Sequence, residues 1–137
     1  MEILIRAELA KHFPDDSIVG EEQADTVGTS GFTWVIDPID GTQNYAHGMP
    51  FWGPMITLVQ DKTPIAACTY FPVMDDMFYA EKNKGCYKND VQIHVADHKP
   101  NQTHFIANSM CQFPAKDPNT QKLSRSFGAC AYHGACM

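Results

Sequence analysis

The segment WVIDPIDGTQNYAHG, residues 34–48, carries most of the information about fold and function. An apolar, β-branched run ends in two aspartates, Asp37 and Asp40, which lie three residues apart around a proline. Two like charges this close either raise each other's pKa or hold a cation between them. Taken alone, a D-P-x-D-G segment is also typical of a tight turn, so its neighbours in the sequence must decide between turn and site.

A second pair of acids follows an earlier apolar stretch in the same way. The stretch Ser17–Gly20 is predicted to be a short buried strand, and it ends at Glu21 and Glu22. The residues before Asp37, FTWVI at 32–36, are aromatic and β-branched and predict a second strand. Carboxylates in this number suit a hard cation, and Mg²⁺ binds to a few carboxylates together with waters and phosphate oxygens.

The residues around the second aspartate add an anion site and a hydroxyl group. Gly41 and Thr42 begin a predicted helical turn toward Tyr45, and the free amides at such a start attract a phosphate. The threonine hydroxyl is able to hold a water. Pro38 fixes the backbone, which aims both carboxylates and the carbonyl of Ile39 at one point. These features together predict a phosphoryl-transfer site.

Length and composition describe an ordinary globular domain. The chain has 137 residues, 44% of them hydrophobic, and a net charge of −6. Because it has no dense Lys/Arg cluster, we expect no nucleic-acid partner. No apolar run is long enough for a membrane span, and the N-terminal residues lack the features of a signal peptide. The five cysteines form no C-x-x-C pair. We therefore expect reduced thiols in a cytoplasmic protein without a membrane partner.

The rest of the chain predicts one N-terminal helix and a region that is mostly sheet. Ile5, Leu9 and Phe13 recur every four residues in an amphipathic pattern that Pro14 ends. A loop is expected over 112–121, and the C-terminal residues are expected to form a short strand and a small-residue helix. Core positions are expected for Trp34, Phe51, Trp52 and the methionines. Further strands are predicted at GPMITLVQ (53–60), PIAACTYF (64–71), MFYAE (77–81), GCYK (85–88), VQIHV (91–95) and HFIAN (104–108).

The segments GEE at 20–22, WVIDPIDGTQNY at 34–45 and RSFGACAYHGA at 125–135 resemble the inositol monophosphatase family. This family consists of Mg²⁺-dependent, lithium-sensitive phosphomonoesterases. The resemblance runs over essentially the whole chain and implies an α+β fold, the layered αβαβα sandwich of the inositol monophosphatase and sugar phosphatase type. It also implies a phosphatase that hydrolyses a small phosphomonoester, with inositol monophosphate as the favoured substrate.

The resemblance assigns roles residue by residue. Glu21, Asp37 and the Ile39 carbonyl are expected to ligate one Mg²⁺, and Asp37 and Asp40 a second, with Mn²⁺ as a possible substitute. The amides of Gly41 and Thr42 are expected to hold the phosphate, beside Asp40. Glu21 and Thr42 are the expected catalytic residues, which position and activate the attacking water.

Three weaker assignments accompany these. Gly128 and Ala129 match a family segment beside the substrate pocket and are expected to bind substrate. His47 is expected to be a structural hydrogen-bond partner. Glu22 is expected either to support the site or to be a solvated neighbour.

The resemblance also implies a longer polypeptide than residues 1–137. Family members begin with helices upstream and continue to a further aspartate that ligates the second metal. We therefore expect a partial inositol monophosphatase-like domain that is a poor catalyst by itself, and a homodimer in the full-length form. Two alternatives remain open from the sequence. One is a truncated chain without catalytic activity. The other is a phosphatase for fructose bisphosphate, histidinol phosphate or adenosine bisphosphate.

Overall fold

A computed structural model describes residues 1–95, 104–108 and 122–126. These residues form two helices and nine strands. The predicted loop at 112–121, the predicted C-terminal helix and the expected substrate residues Gly128 and Ala129 lie outside the described residues. The helices are α1 (Glu2–His12) and α2 (Thr42–Ala46). The strands are β1 (Ser17–Gly20), β2 (Phe32–Asp40), β3 (Gly53–Gln60), β4 (Thr63–Phe71), β5 (Asp76–Glu81), β6 (Gly85–Lys88), β7 (Val91–Ile93), β8 (His104–Asn108) and β9 (Lys122–Ser126).

The strands form a mixed seven-stranded sheet and a separate parallel pair. In the large sheet the spatial order is the chain order, β1 to β7. β1 pairs with β2 in parallel, and every later neighbour is antiparallel. β8 and β9 form the second sheet. This mixture of helices with a largely antiparallel sheet confirms the predicted α+β class.

β2 is longer than the sequence pattern predicts. The predicted strand ends before Asp37, whereas the observed one continues to Asp40. Its pairing with β3 shifts register between Asp37 and Asp40, and the side chain of Pro38 lies fully buried within this irregularity. Proline has no N–H to donate to a neighbouring strand, so it is accommodated where the ladder is interrupted. The result is a strand end that carries both aspartates on a rigid backbone.

The buried core is small and aromatic in part. Its buried hydrophobic side chains in the described residues are Ile18, Ile36, Phe71 and Phe78. Phe71 and Phe78 meet edge to face, with ring centroids 6.0 Å apart. The sequence prediction of a core role is wrong for Met1, Met49 and Met77, which are exposed. Trp34, Phe51 and Trp52 are only partly buried.

The structure confirms the first helix and its end before Pro14, but the predicted apolar face is wrong: Ile5 and Leu9 are only half-buried, Phe13 is exposed, and the one buried residue of α1 is Glu2. Phe13, just after the helix, contacts the ring of Trp34 at a centroid distance of 5.1 Å. The Trp34 indole donates a hydrogen bond of 2.8 Å to the buried Asp16 carboxylate. These contacts hold α1 against the β1–β2 end of the sheet. In the described part of the chain, neither helix is long and apolar enough to cross a membrane.

Candidate metal centre

The parallel pairing of β1 and β2 brings the two groups of acids to one edge of the sheet. Gly20, the last residue of β1, pairs with Ile36 in β2. The next residues of the two strands are Glu21 and Asp37, and parallel strands end at the same edge. The sequence prediction that acids meet at the ends of two strands is confirmed for Glu21 and Asp37, whose charges interact, although β2 itself continues to Asp40.

Asp37 lies in an unfavourable environment for a negative charge. Partial burial raises the pKa of Asp37, and the negative charge of Glu21 raises it further. Asp40 adds a smaller effect in the same direction. One stabilising contact opposes these effects, because the Ile39 amide donates a hydrogen bond of 3.0 Å to Oδ1 of Asp37. The net electrostatic result is a site that a cation would stabilise.

The turn after β2 joins that strand to the short helix α2. Gly41 has φ +81° and ψ +37°, a left-handed conformation that costs a residue with a Cβ about 1–2 kcal/mol. Thr42 Oγ1 donates a hydrogen bond of 3.0 Å to the carbonyl of Ile39. The Tyr45 amide then donates to the carbonyl of Gly41 at 3.0 Å, which closes the first turn of α2. The helical turn predicted from Gly41 and Thr42 toward Tyr45 is confirmed.

Two contacts fix α2 relative to β3. Asn44 is 5% exposed, and its side-chain amide donates a hydrogen bond of 2.7 Å to the Phe51 carbonyl. Tyr45 meets Trp52 edge to face, with ring centroids 4.7 Å apart. Since Gly41 is buried and Thr42 is exposed, the turn has a firm base and an accessible hydroxyl. That arrangement suits a residue expected to orient a water.

The oxygen donors at this edge fit Mg²⁺ by their chemistry. The donors predicted from the sequence are three carboxylates, from Glu21, Asp37 and Asp40, and the carbonyl oxygen of Ile39. A carbonyl oxygen has two lone pairs, so the bond that Ile39 accepts from Thr42 leaves one for another partner. Within the described ranges, no three His, Cys, Asp or Glu side chains already converge on a point that would hold a metal ion.

Comparison with known proteins gives the same family as the sequence motifs. The model of the inositol monophosphatase family matches residues 1–134. The chain belongs to the inositol monophosphatase family. The fructose-1,6-bisphosphatase/inositol-1-monophosphatase of Aquifex aeolicus is 37% identical over 95 residues, which are 69% of this chain and 36% of that protein. The histidinol-phosphatase of Chlorobaculum parvum is 30% identical over 96% of this chain and 54% of its own length.

The solved structures of the inositol monophosphatase family confirm the fold expected from the sequence. The extragenic suppressor protein suhB of Bartonella henselae superposes with a TM-score of 0.84 at 29% identity. The match covers 95% of this chain and 54% of the suhB chain. The α+β sandwich class is thereby confirmed. The chain spans about half the length, or less, of the relatives described above.

The sequence motifs of the inositol monophosphatase family did not indicate every residue at this edge. Glu2 has no exposed surface, and its carboxylate accepts a hydrogen bond of 2.7 Å from the Glu22 amide. Arg6 donates to the same carboxylate at 2.6 Å. In the sequence these two residues look like a solvated i,i+4 ion pair, so only the packing of α1 identifies them. Glu22 itself has an exposed side chain, and His47 is exposed with its Nδ1 2.8 Å from the Gln43 carbonyl.

Proposed function

We propose that this chain is the part of a Mg²⁺-dependent phosphatase that holds its metal and phosphate, and that the substrate is a small phosphomonoester, inositol monophosphate in the first instance. The observation that carries the proposal is the position of Asp37 near both Glu21 and Asp40, whose negative charges raise its pKa. Burial and two neighbouring charges oppose ionisation of Asp37. A protein gains nothing structural from such repulsion, and a divalent cation would relieve it.

Different residues would have different roles in the hydrolysis. Glu21, Asp37, Asp40 and the carbonyl of Ile39 would hold Mg²⁺, with Mn²⁺ as a substitute. When bound, the metal supplies Lewis-acid activation of a water and neutralises charge on the phosphate oxygens. The amides of Gly41 and Thr42 would bind the phosphate.

Thr42 and Glu21 would orient the attacking water. The Thr42 hydroxyl donates a hydrogen bond of 3.0 Å to the Ile39 carbonyl. The lone pairs of its oxygen therefore remain available to accept a hydrogen bond from that water. Glu21 lies at the same strand edge as Asp37. From this position it would accept the proton of the water as a general base.

Histidinol phosphate is a second candidate substrate. The histidinol-phosphatase of Chlorobaculum parvum aligns with 96% of this chain at 30% identity. Fructose bisphosphate follows from the name of the Aquifex aeolicus relative. The residues proposed for the site would contact the phosphate rather than the rest of the substrate, so they do not rank these alcohols.

Release of inorganic phosphate tests the proposal. The three substrates are compared at saturating Mg²⁺, with residues 1–137 and with a polypeptide extended toward the length of the relatives. We expect slow release from the former and faster release from the latter, and no release when Asp37→Asn is introduced into either. Mg²⁺ binding without phosphate release by either polypeptide would favour a non-catalytic chain. Release that persists in Asp37→Asn would refute the assigned site.

A further inference from the structure

The ion pair between Glu2 and Arg6 lies beneath the loop that carries Glu21. Glu2 is the first residue of α1, its side chain has no exposed surface, and that of Arg6 is 13% exposed. The Arg6 Nε is 2.6 Å from Glu2 Oε1. Buried charges are costly unless every partner is supplied, so a pair in this position needs a structural reason.

The pair is bonded to the backbone on both sides of Glu21. Oε2 of Glu2 accepts the amide of Glu22 at 2.7 Å, directly after Glu21. The Arg6 guanidinium donates to the carbonyl of Ile18 at 3.4 Å and to that of Gln23 at 3.3 Å. The main chain before and after Glu21 is therefore hydrogen-bonded to the Glu2–Arg6 pair on α1. The Arg6 guanidinium in this pair is planar and pre-organised.

Gly20 allows this close approach. A Cβ on Gly20 would overlap the Glu2 carboxylate and would lie 2.8 Å from the nearest guanidinium nitrogen of Arg6. The absence of a side chain at the end of β1 thus lets the ion pair lie against the backbone. Burial acts to raise the pKa of Glu2, but the Glu22 amide and Arg6 outweigh it and lower that pKa. The carboxylate is therefore ionised at neutral pH.

We infer that Glu2 and Arg6 are positioning residues for the metal site, which hold Glu21 opposite Asp37 through the backbone of Gly20–Gln23. This inference rests on the proposed function. The pair is not among the groups proposed to bind the metal or the phosphate. It acts on Glu21 by restricting the loop on both sides of that residue, and Glu21 in turn lies beside Asp37 at the ends of the parallel strands.

The test measures the affinity of the 137-residue chain for Mn²⁺, followed by the electron paramagnetic resonance of the free ion. The variant Glu2→Gln keeps the shape and one acceptor but removes the charge that binds Arg6. Arg6→Lys keeps the charge but loses the planar fork. Glu8→Gln is the matched control, since Glu8 lies on the same helix in a loose, exposed pair 3.7 Å from Lys11.

We expect Glu2→Gln and Arg6→Lys to weaken Mn²⁺ binding about tenfold, and Glu8→Gln to leave it unchanged. Near-ultraviolet circular dichroism identifies a temperature at which each variant is folded. A merely structural role would lower the melting temperature or the number of ions bound per chain, without changing the dissociation constant of the folded molecules. The dissociation constant therefore separates positioning from general support.

Each other outcome overturns the inference. If either variant folds and binds Mn²⁺ as tightly as the control, the inference fails. The proposed metal site would still stand in that case, provided that Asp37→Asn still abolishes binding. Failure of both variants to fold would assign the pair to general stability instead. Absence of Mn²⁺ binding by the unaltered chain would overturn the proposed function and this inference with it.

Discussion

The hydroxyl of Thr42 lies 3.0 Å from the carbonyl oxygen of Ile39 and donates a hydrogen bond to it. This bond joins the first residue of α2 to the irregular end of β2. It orients the hydroxyl of Thr42 and one lone pair of Ile39, which are the two groups proposed to hold a water and a metal. This turn therefore sets the positions of the Thr42 hydroxyl and the Ile39 carbonyl relative to the sheet.

Replacing Thr42 by valine removes this bond with little change of volume. We expect a loss of about 1 kcal/mol in the free energy of unfolding, measured by urea titration, and a slower phosphate release at unchanged Mg²⁺ affinity. Thr42→Ser keeps the hydroxyl and serves as the control, with values near those of the unaltered chain. A valine variant that releases phosphate at the unaltered rate would remove Thr42 from the proposed mechanism.

Asp37 predicts an unusual dependence of stability on pH in the absence of metal. Its pKa is raised above the ordinary value of 3.8, so between that value and the raised pKa the folded chain binds more protons than the unfolded chain. Stability therefore falls as the pH rises through this window. Asp37→Asn keeps an acceptor for the Ile39 amide but cannot ionise. We expect this variant to melt at a higher temperature than the unaltered chain at pH 7 in EDTA.

The control for this comparison is Asp25→Asn, which alters an exposed acid in the loop after β1. It is expected to melt like the unaltered chain. Below pH 3.8 the advantage of Asp37→Asn should disappear, because both side chains are then neutral. Equal melting temperatures for the Asp37 variant and the unaltered chain at pH 7 would mean that the acids do not repel one another.

Gly53 predicts a steric limit on the strand that faces Asp40. It pairs with Asp40 across β2 and β3, and a Cβ there would overlap the carbonyl oxygen of Tyr70 in β4. Gly53→Ala is expected to cost about 3 kcal/mol in urea titration, because backbone atoms have to move. Gly48→Ala meets nothing within 4 Å and is strained only by its φ of +69°, so it should cost about 1–2 kcal/mol. A smaller loss for Gly53→Ala than for Gly48→Ala would contradict this interpretation.

The sequence predicted the elements of the site because local signals agreed with one another there. Strand-forming residues before Asp37, the rigid Pro38 and the flexible Gly41 each restrict the backbone through neighbours only a few residues away. The turn and the short helix follow from those restrictions, whereas β2 continues beyond its predicted end to Asp40. The family motif adds the roles of the residues, which chemistry alone left open between a turn and a site.

The sequence did not predict the contacts between residues far apart in the chain. Glu2 and Arg6 have the spacing of an exposed helical pair, and only the position of α1 under the 20–23 loop buries them. Trp34 likewise looks like core, whereas its indole reaches the Asp16 carboxylate and stays partly exposed. In both cases the partners lie 12 to 20 residues away in the chain, where periodicity carries no information.

Titration calorimetry with Mg²⁺ at neutral pH, on the unaltered chain and on Asp37→Asn, tests the central claim most directly. We predict saturable binding by the unaltered chain and none by the variant. Mg²⁺ at a hundred times its dissociation constant should stabilise only the unaltered chain, by about 2.7 kcal/mol. No binding heat together with identical melting curves for the unaltered chain with and without Mg²⁺, or equal binding by the two proteins, would contradict a metal site at Asp37.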